Sequence, residues 1–337
     1  MFRVLTFFTC TLIFILKLQI NEAWSTEFDI RKLNLSDSSF LNFNKILIQN
    51  CASELFTKKV QEHPSYPKFG SVKNWKSICK KLDKNSNNKN FIIENFKAIS
   101  LSDKKQLLTG YYEPTIKISN VKTNIFRYPL LRYSKDLIFE RRKINESFRD
   151  HDVLYWTDDQ IELFFLQIQG SGVGEYKNGK KVKISYAGNN GFPYTSIGKV
   201  MIEKGYLKKE AATLQSIKDW LRNNNNRRDE VLNKNKRYIF FKSSPFVKKG
   251  PIGAMGRNLI PDISVAIDSK IYPFGIPFVM KTNYKKQDLL AFAHDTGSAI
   301  KGFNRADLFV GSGKAAEKVA GELKKQLLLI SLVPIIR

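Results

Sequence analysis

The stretch LLAFAHDTGSAIKGFNRADLFVGSG, residues 289–313, sets two carboxylates at the ends of short apolar runs. Asp295 follows the apolar run 289–292 and enters a loop, and Asp307 leaves that loop just before the apolar run 308–310. A carboxyl group beside apolar side chains loses hydration in its charged form, so its pKa rises toward the range useful for general acid catalysis. Aspartate is also a common loop cap that accepts backbone N–H groups. The residues alone leave both interpretations open.

The composition limits the architecture and the partners. With 337 residues and 42% hydrophobic content, the chain can bury one large core or two medium ones. A net charge of +25 suits an anionic partner such as nucleic acid, anionic lipid or a polyanionic wall. The lysines are scattered, however, and asparagine-rich runs accompany them at 85–90 and 222–228. This pattern favours a general compositional bias over a clustered basic stripe, so no nucleic-acid partner is expected.

The first 25 residues have the pattern of a secretory signal. Arg3 precedes an apolar run at 4–16, and small residues before position 26 predict cleavage after Ser25. The run is short for a membrane span and Lys17 interrupts it. Two outcomes remain open from the sequence, a soluble exported protein and one anchored by an uncleaved signal.

Export bears on the cysteines, because only Cys51 and Cys79 would remain after cleavage. An even pair in an exported protein predicts one disulfide, with two buried thiols as the alternative. The three histidines are far apart in sequence, so no metal site is expected.

Residues 40–105 are predicted to be mainly helical, and strands are predicted from 109 onward. The segment FFLQIQG, 164–170, is predicted as a strand with Gln167 and Gln169 on one face. Two aligned amides would bond either the hydroxyl and acetamido groups of a glycan or neighbouring loops. Helices are predicted at 197–204, 208–221 and 314–326, with the run 222–228 closing the second, and a last buried strand at 327–333.

The loop GSGVG, 170–174, superficially suggests nucleotide binding. A dinucleotide loop must open a helix, whereas here Asn178-Gly179 predicts a hairpin turn followed by another strand. The nucleotide interpretation is therefore rejected. Many short strands with few long helices favour barrels over a doubly wound sheet.

Seven blocks, in order along the chain, carry a family resemblance. They are TGYYEP (109–114), FFLQIQGSG (164–172), YAGNNGFPYTSIG (186–198), GPIGAMGRNLIP (250–261), SVAIDSKIYPFGIPF (264–278), AHDTGSAIKG (293–302) and RADLFVGSG (305–313). Together they resemble the membrane-bound lytic murein transglycosylase A family, whose catalytic half is named for three aspartates. The matching positions here are Asp268, Asp295 and Asp307. The chain departs from the family pattern at His294, where glutamine is usual, and at Asp262, where arginine is often found.

The resemblance implies a mainly β fold with some α structure. A double-psi β-barrel, the catalytic domain named 3D, would be built from both chain ends, 26–108 and 246–337. A smaller β-domain, 109–245, would be inserted between them, and the substrate would lie in the groove where the two meet.

The resemblance also implies a lytic transglycosylase that cuts the β-1,4 bond between N-acetylmuramic acid and N-acetylglucosamine and leaves a 1,6-anhydromuramyl end. Asp307 would be the general acid and then the base, with Asp295 and Asp268 supporting it and raising its pKa by like-charge coupling. The expected glycan contacts are Thr109, Tyr111, Glu113, Gln167, Gln169, Tyr186 and Asn190.

The expected partners are peptidoglycan glycan strands, with other cell-wall enzymes as further candidates. No cofactor is expected, and the protein is predicted to be a periplasmic monomer, with association with the outer membrane as a further candidate. A non-catalytic wall-binding module is the main alternative function, although it would not need Asp307.

Overall fold

The computed structural model describes residues 26–82 and 89–335. The expected signal peptide, 1–25, lies outside the described residues. The strands are β1 (Thr26–Phe28), β2 (Phe96–Ser100), β3 (Gln106–Glu113), β4 (Thr115–Ser119), β5 (Tyr128–Leu131), β6 (Val153–Thr157), β7 (Gly172–Glu175), β8 (Lys181–Asn189), β9 (Ile239–Pro245), β10 (Ser264–Ile267), β11 (Pro277–Thr282), β12 (Leu289–Thr296), β13 (Ala306–Ser312) and β14 (Lys324–Pro334).

The α-helices are α1 (Asp37–Cys51), α2 (Glu54–Gln61), α3 (Val72–Lys81), α4 (Lys89–Asn95), α5 (Arg141–Ser147), α6 (Gln160–Gln169), α7 (Ile197–Glu203), α8 (Leu214–Asn223), α9 (Asn225–Lys234) and α10 (Gly313–Glu322). Within the described ranges, none of them combines the length and the apolar character needed to cross a bilayer.

Six strands close into a β-barrel in the order β14-β11-β12-β10-β13-β3, with β3 returning to β14. The pairs β10–β12 and β13–β3 are parallel, and the other barrel pairs are antiparallel. Because β14 is 11 residues long, it pairs with β3, β11 and β2 in turn. One barrel strand comes from the first third of the chain and five from the last third, which confirms a barrel built from both ends.

Strand β3 shows that the expected domain boundary at 109 is misplaced. The whole strand pairs with β13 and β14, so its residues belong to the barrel. The chain leaves the barrel at Pro114, and β4 pairs with β6 and β7 of the second sheet. Proline lacks the N–H needed to continue a ladder, which accounts for the change of sheet at this point. At the other boundary, β9 ends at Pro245, next to the expected position 246.

The inserted domain holds a six-stranded sheet in the order β5-β6-β4-β7-β8-β9. Helix α6 packs on this sheet through Leu163 and Leu166. Its other side packs against α7, α8 and α9, where Phe164 and Phe165 meet a separate apolar cluster. Helix α6 is therefore covered on nearly every side.

This burial explains why the strand prediction for 164–170 was wrong. Apolar residues surround α6, so the sequence shows no helical period, and a short apolar run cannot be assigned by periodicity alone. The local signals lie just outside the run. Asp159 accepts hydrogen bonds from the first-turn N–H groups of Ile161 and Glu162, and Gly170 ends the helix with a φ of 80°. Gln167 and Gln169 therefore lie on different sides of a helix.

The run 222–228 closes α8, as predicted, because the helix ends at Asn223. The second half of the run then begins α9, a helix that the sequence analysis did not predict. Val231 and Leu232 anchor α9 in the apolar cluster, whereas Asn225, Asn226 and Arg227 are exposed. Tertiary packing thus overrides the modest helix propensity of asparagine.

The N-terminal helices cover one side of the barrel, as the helical prediction for 40–105 expected. Ser71 and Asn74 form a capping box that starts α3. A disulfide joins Cys51, at the end of α1, to Cys79 in α3. The disulfide prediction is thereby confirmed, and the bond fixes the two helices to each other.

Two groups of charged side chains hold the inserted domain against the barrel. Lys183 of β8 donates to Glu113 of β3 at 2.7 Å, and both side chains are buried. Lys218 of α8 bonds Glu162 of α6 at 2.6 Å and also Glu317 of the barrel helix α10. Buried charges with matched partners tolerate little displacement, so these contacts fix the relative position of the domains.

Candidate active site

A cavity of about 270 Å³ lies where the barrel meets the inserted domain. The barrel contributes β3, the ends of β12 and β13, and the loop 297–300, whereas the inserted domain contributes the end of α6 and the loop before α7. The lining residues are Gly110, Tyr111, Ile168, Gln169, Tyr194, Ala266, Asp295, Thr296, Gly297, Ser298, Ala299, Ile300, Arg305 and Asp307.

Asp307 lies at the start of β13, in register with Thr109 on the parallel neighbour β3. The Thr109 hydroxyl donates to Oδ1 of Asp307 at 2.6 Å. Nη2 of Arg305 donates to the same Thr109 oxygen at 2.8 Å, so the single hydroxyl proton is directed to Asp307. Oδ2 of Asp307 has no hydrogen-bond partner within the described ranges, which leaves it available to a ligand.

Asp295 lies near the end of β12 and has both carboxylate oxygens engaged. Oδ1 accepts from the backbone N–H of Ala254 at 2.9 Å, and Oδ2 accepts from the Tyr111 hydroxyl at 3.0 Å. Side chains two apart on a strand share a face. Strand β3 therefore presents Thr109 to one aspartate and Tyr111 to the other.

Burial raises the pKa of Asp307, against the opposing effects of the Arg305 charge and the Thr109 hydrogen bond. Burial also raises the pKa of Asp295, where the negative charge of Asp307 adds a smaller increase. Desolvation is thus the largest cause of the raised pKa of Asp307, as its apolar neighbours predicted, whereas the like-charge contribution raises the pKa of Asp295. Both carboxyls hold their protons more tightly than an exposed aspartate does.

His294, next to Asp295, is neutral at physiological pH, because burial lowers its pKa to about 3. The Ser264 hydroxyl accepts from the N–H of Ile260 and shares a second hydrogen bond of 2.8 Å with Nδ1 of His294, whose direction depends on the tautomer of the ring. Nε2 of the ring is buried and has no hydrogen-bond partner among the described residues. A neutral imidazole here adds no cationic charge beside Asp295.

Asp268 is buried on the loop after β10 and is not among the cavity residues. Its Oδ2 accepts from the N–H of Gly302 at 3.1 Å, and Oδ1 accepts from that of Lys270 at 3.2 Å. Burial raises the pKa of Tyr272, and the negative charge of Asp268 adds to the rise. Asp268 thus ties down the loop that leads back to Asp307, and the structure does not bring it together with the other two aspartates.

Three of the expected glycan contacts are buried with protein partners. Glu113 bonds Lys183 and Ser312, Gln167 accepts from Arg141, and the Asn190 amide donates to two backbone carbonyl oxygens. Their polar atoms are satisfied inside the protein, so contact with a glycan would first require breaking these bonds. The structure places these three side chains in the scaffold and not on the cavity wall.

Thr109, Tyr111 and Gln169 lie at the cavity or directly against its aspartates. The Gln169 side-chain oxygen accepts from the N–H of Tyr112 at 3.1 Å, which joins the end of α6 to β3. Tyr186 is exposed on β8, outside this cavity, and its hydroxyl accepts from Asn189 at 2.6 Å.

Sequence reasoning missed two residues of the site, Tyr194 and Arg305. Both line the cavity with Asp307; burial raises the pKa of the Tyr194 phenol, and the charge of Asp307 adds to the rise. Tyr194 comes from the inserted domain and thus lines the cavity opposite residues of the barrel. It lies within YAGNNGFPYTSIG, and Arg305 opens RADLFVGSG, but nothing in either block sets these residues apart from their neighbours.

Sequence profiles of two families match the chain. The MltA specific insert domain matches residues 138–242, and the 3D domain matches residues 263–333. The chain is 29% identical over 311 residues to a membrane-bound lytic murein transglycosylase A homolog of Buchnera aphidicola, which covers 87% of this chain and 83% of the relative. It is 33% identical over 234 residues to membrane-bound lytic murein transglycosylase A of Vibrio cholerae, covering 65% and 62% of the two chains.

Solved structures of lytic transglycosylases share the fold of this chain. A membrane-bound lytic murein transglycosylase from Agrobacterium tumefaciens superposes with a TM-score of 0.80 at 23% identity, covering 92% of this chain and 97% of that one. Escherichia coli MltA with bound chitohexaose superposes with a TM-score of 0.73 at 24% identity, covering 93% of this chain and 95% of that one. The lytic transglycosylase LtgG of Burkholderia pseudomallei superposes with a TM-score of 0.58 at 32% identity, covering 94% of this chain and 97% of that one. The chain belongs to the membrane-bound lytic murein transglycosylase A family.

Proposed function

We propose that this protein is a lytic transglycosylase that cleaves the β-1,4 bond between N-acetylmuramic acid and N-acetylglucosamine in peptidoglycan and leaves a 1,6-anhydromuramyl end. The observation that carries the proposal is the unequal bonding of the two cavity aspartates. Asp307 keeps one oxygen free and has a raised pKa, whereas both oxygens of Asp295 accept hydrogen bonds. One carboxyl group is therefore equipped to exchange a proton with a ligand.

In the first step Asp307 acts as the general acid. Its proton, on the free Oδ2, passes to the glycosidic oxygen as the bond from that oxygen to C1 of the muramyl sugar breaks. The bonding electrons leave with the departing sugar, and positive charge develops on the muramyl ring. The new carboxylate is stabilised by the hydrogen bond from Thr109 and by the charge of Arg305.

In the second step the same carboxylate acts as the base. The 6-hydroxyl of the muramyl sugar attacks C1, and its proton passes to Asp307, which restores the starting acid. No water enters the product. Two-carboxylate hydrolases instead need a second group free to attack the sugar or to activate water. Asp295 accepts from Ala254 and Tyr111, so it supplies a fixed negative charge beside the developing cation and not a nucleophile.

Glycan strands of peptidoglycan are the proposed partner. Escherichia coli MltA has been crystallised with chitohexaose, a glycan chain, and shares this fold. Tyr111 and Gln169, which line the cavity, and Thr109, which bonds Asp307, are the proposed contacts, and Tyr186 offers an exposed aromatic ring on the inserted sheet. A monomer acting in the periplasm, in contact with other cell-wall enzymes or the outer membrane, remains part of the proposal.

The test is digestion of purified peptidoglycan in water enriched in ¹⁸O, followed by mass spectrometry of the products. A lytic transglycosylase gives anhydromuramyl ends without ¹⁸O, because the attacking oxygen comes from the sugar. Reducing ends that carry one ¹⁸O would identify a hydrolase and overturn the assignment of a single carboxyl. Binding to peptidoglycan without any product would move the protein to the class of non-catalytic wall-binding proteins.

A further inference from the structure

A second, larger cavity lies wholly within the inserted domain. It has a volume of about 720 Å³ and is enclosed by β5, α5, α6 and α9. The cavity is not part of the site described above, because the two share no lining residue. Its size falls in the range typical of pockets for small organic ligands.

Arg141, at the start of α5, is the unusual feature of this cavity. It is only 4% exposed, yet within the described ranges no carboxylate lies within 4 Å of its guanidinium. Burial lowers its pKa to about 10. A buried cation without an anionic partner is costly, and arginines in protein interiors are normally paired.

The protein partners of Arg141 account for part of its bonding capacity. Nε donates to the carbonyl oxygen of Asn235 at 2.8 Å, and the two terminal nitrogens donate to the Arg237 carbonyl and the Gln167 amide. The guanidinium carbon also lies 4.7 Å from the ring centroid of Phe164 and 5.1 Å from that of Tyr238, within the range of cation–π contacts. A guanidinium has five N–H donors, so two have no hydrogen-bond partner among the described residues.

The charges around the cavity do not neutralise Arg141. Its three acidic residues are each engaged elsewhere: Glu146 with Arg142, Asp229 with Gln160, and Glu230 with Lys204. Arg127 and Lys234 also line the cavity, and within the described ranges neither forms an ion pair. The four cations that line the cavity thus outnumber its three carboxylates by one, and Arg141 is the buried cation among them.

We propose that this cavity binds the carboxylate end of a short peptide, with the Arg141 guanidinium as the anion anchor. Guanidinium groups bind carboxylates through paired N–H donors. The walls combine apolar surface, suited to alkyl side chains, with the amides of Asn145 and Asn233, suited to peptide groups. The choice of a peptidoglycan stem peptide as the natural ligand rests on the proposed function, because stem peptides are attached to the muramyl sugars of that substrate.

The test is calorimetric binding of free stem peptides, prepared from peptidoglycan with an amidase, to the full chain carrying Asp307→Asn. Catalysis plays no part in this assay, so it can fail or succeed independently of the proposed reaction. The matched probe is the same peptide with its carboxylates methylated. Inorganic phosphate at equal concentration serves as a small oxyanion competitor.

Two variants separate ligand binding from folding. Arg141→Met removes the anchor, but it also breaks three internal hydrogen bonds and can unfold the domain. Asn145→Trp fills the mouth from an exposed position of α5 and leaves Arg141 intact. Ser147→Trp, exposed on the same helix and outside the cavity lining, is the control.

The expected result is binding of the free peptide that weakens at least tenfold on methylation and at least tenfold in Asn145→Trp, with no change in Ser147→Trp. Equal binding of the methylated peptide, or equal binding by Asn145→Trp, would overturn the proposal. So would failure to bind the free peptide at all. Complete displacement by an equal concentration of phosphate would show a general oxyanion site and would overturn the assignment to a peptide. Binding to stem peptides that are still attached to glycan strands, without binding to free stem peptides, would likewise contradict the proposal.

Discussion

The hydroxyl of Thr109 offers the sharpest probe of the proposed chemistry, because one atom connects the Arg305 charge to the acid. Replacement by valine keeps the branched shape and the strand propensity but removes the bond to Asp307. Thr109→Ser keeps a hydroxyl and is the matched control. The bond stabilises the carboxylate more than the neutral acid, since hydrogen bonds to charged groups are the stronger ones.

The expected magnitude follows from that difference. A hydrogen bond to a neutral group contributes about 0.5–1.5 kcal/mol and one to a charged group about 1.5–3 kcal/mol. As Asp307 donates its proton, the interaction strengthens by the difference, about 1–1.5 kcal/mol. With about 1.4 kcal/mol for each factor of ten in rate, Thr109→Val should lower kcat about tenfold where Asp307 is protonated.

The pH dependence of kcat provides a second, independent test, because the direction of its shift is also predicted. The Thr109 bond lowers the pKa of Asp307, so its loss should raise that pKa and move the alkaline limb of the activity profile to higher pH. The assay is kcat against pH for product release from peptidoglycan, measured for the wild type, Thr109→Val and Thr109→Ser. The reasoning is refuted if Thr109→Val keeps the wild-type rate and profile, or if Thr109→Ser is as impaired as Thr109→Val.

Three further predictions concern stability. Because burial raises the pKa of Asp307, the folded state loses stability as the pH rises from the pKa of the carboxyl in the unfolded chain to its pKa in the folded protein. Above this pH range Asp307→Asn should melt at a higher temperature than the wild type, and below it the two should melt at the same temperature. A difference in melting temperature that is constant at all pH values would contradict this prediction. Reduction of the disulfide between Cys51 and Cys79, which are 28 residues apart, should lower the free energy of unfolding by about 3–4 kcal/mol in denaturant titrations, while the double serine variant should not respond to reductant. Lys218→Met leaves the carboxylates of Glu162 and Glu317 without their shared cation and should lower the free energy of unfolding by about 3 kcal/mol. This value is at the lower end for buried ion pairs, because each carboxylate is about a quarter exposed. Adding Glu317→Gln to Lys218→Met should restore part of the lost stability.

The barrel and its aspartates were accessible from the sequence because their signals are local. Apolar runs bounded by Asp295 and Asp307 predicted strand ends that carry carboxylates, and both side chains line the cavity. The blocks that resemble the family placed these residues in one domain built from both chain ends. Strand β14 was likewise visible as the apolar run 327–333.

Features that depend on three-dimensional packing could not be predicted in this way. Helix α6 is buried on nearly all sides, so its sequence carries no amphipathic period and was taken for a strand. Gln167 was consequently placed on a glycan-binding face, whereas it bonds Arg141 in the interior. The presence of Tyr194 and Asp307 in one cavity depends on how the domains dock, which no local pattern in the sequence records.

The most direct test of the single-acid account compares Asp307→Asn with Asp295→Asn on the same peptidoglycan, with wall binding measured in parallel. The account predicts that Asp307→Asn binds the wall but forms no anhydromuramyl product, because the amide has no acidic proton to donate. Asp295→Asn should retain measurable turnover at a reduced rate, since it removes a fixed charge and one internal hydrogen bond but not the acid. Anhydromuramyl product from Asp307→Asn, or its complete loss in Asp295→Asn alone, would contradict the account.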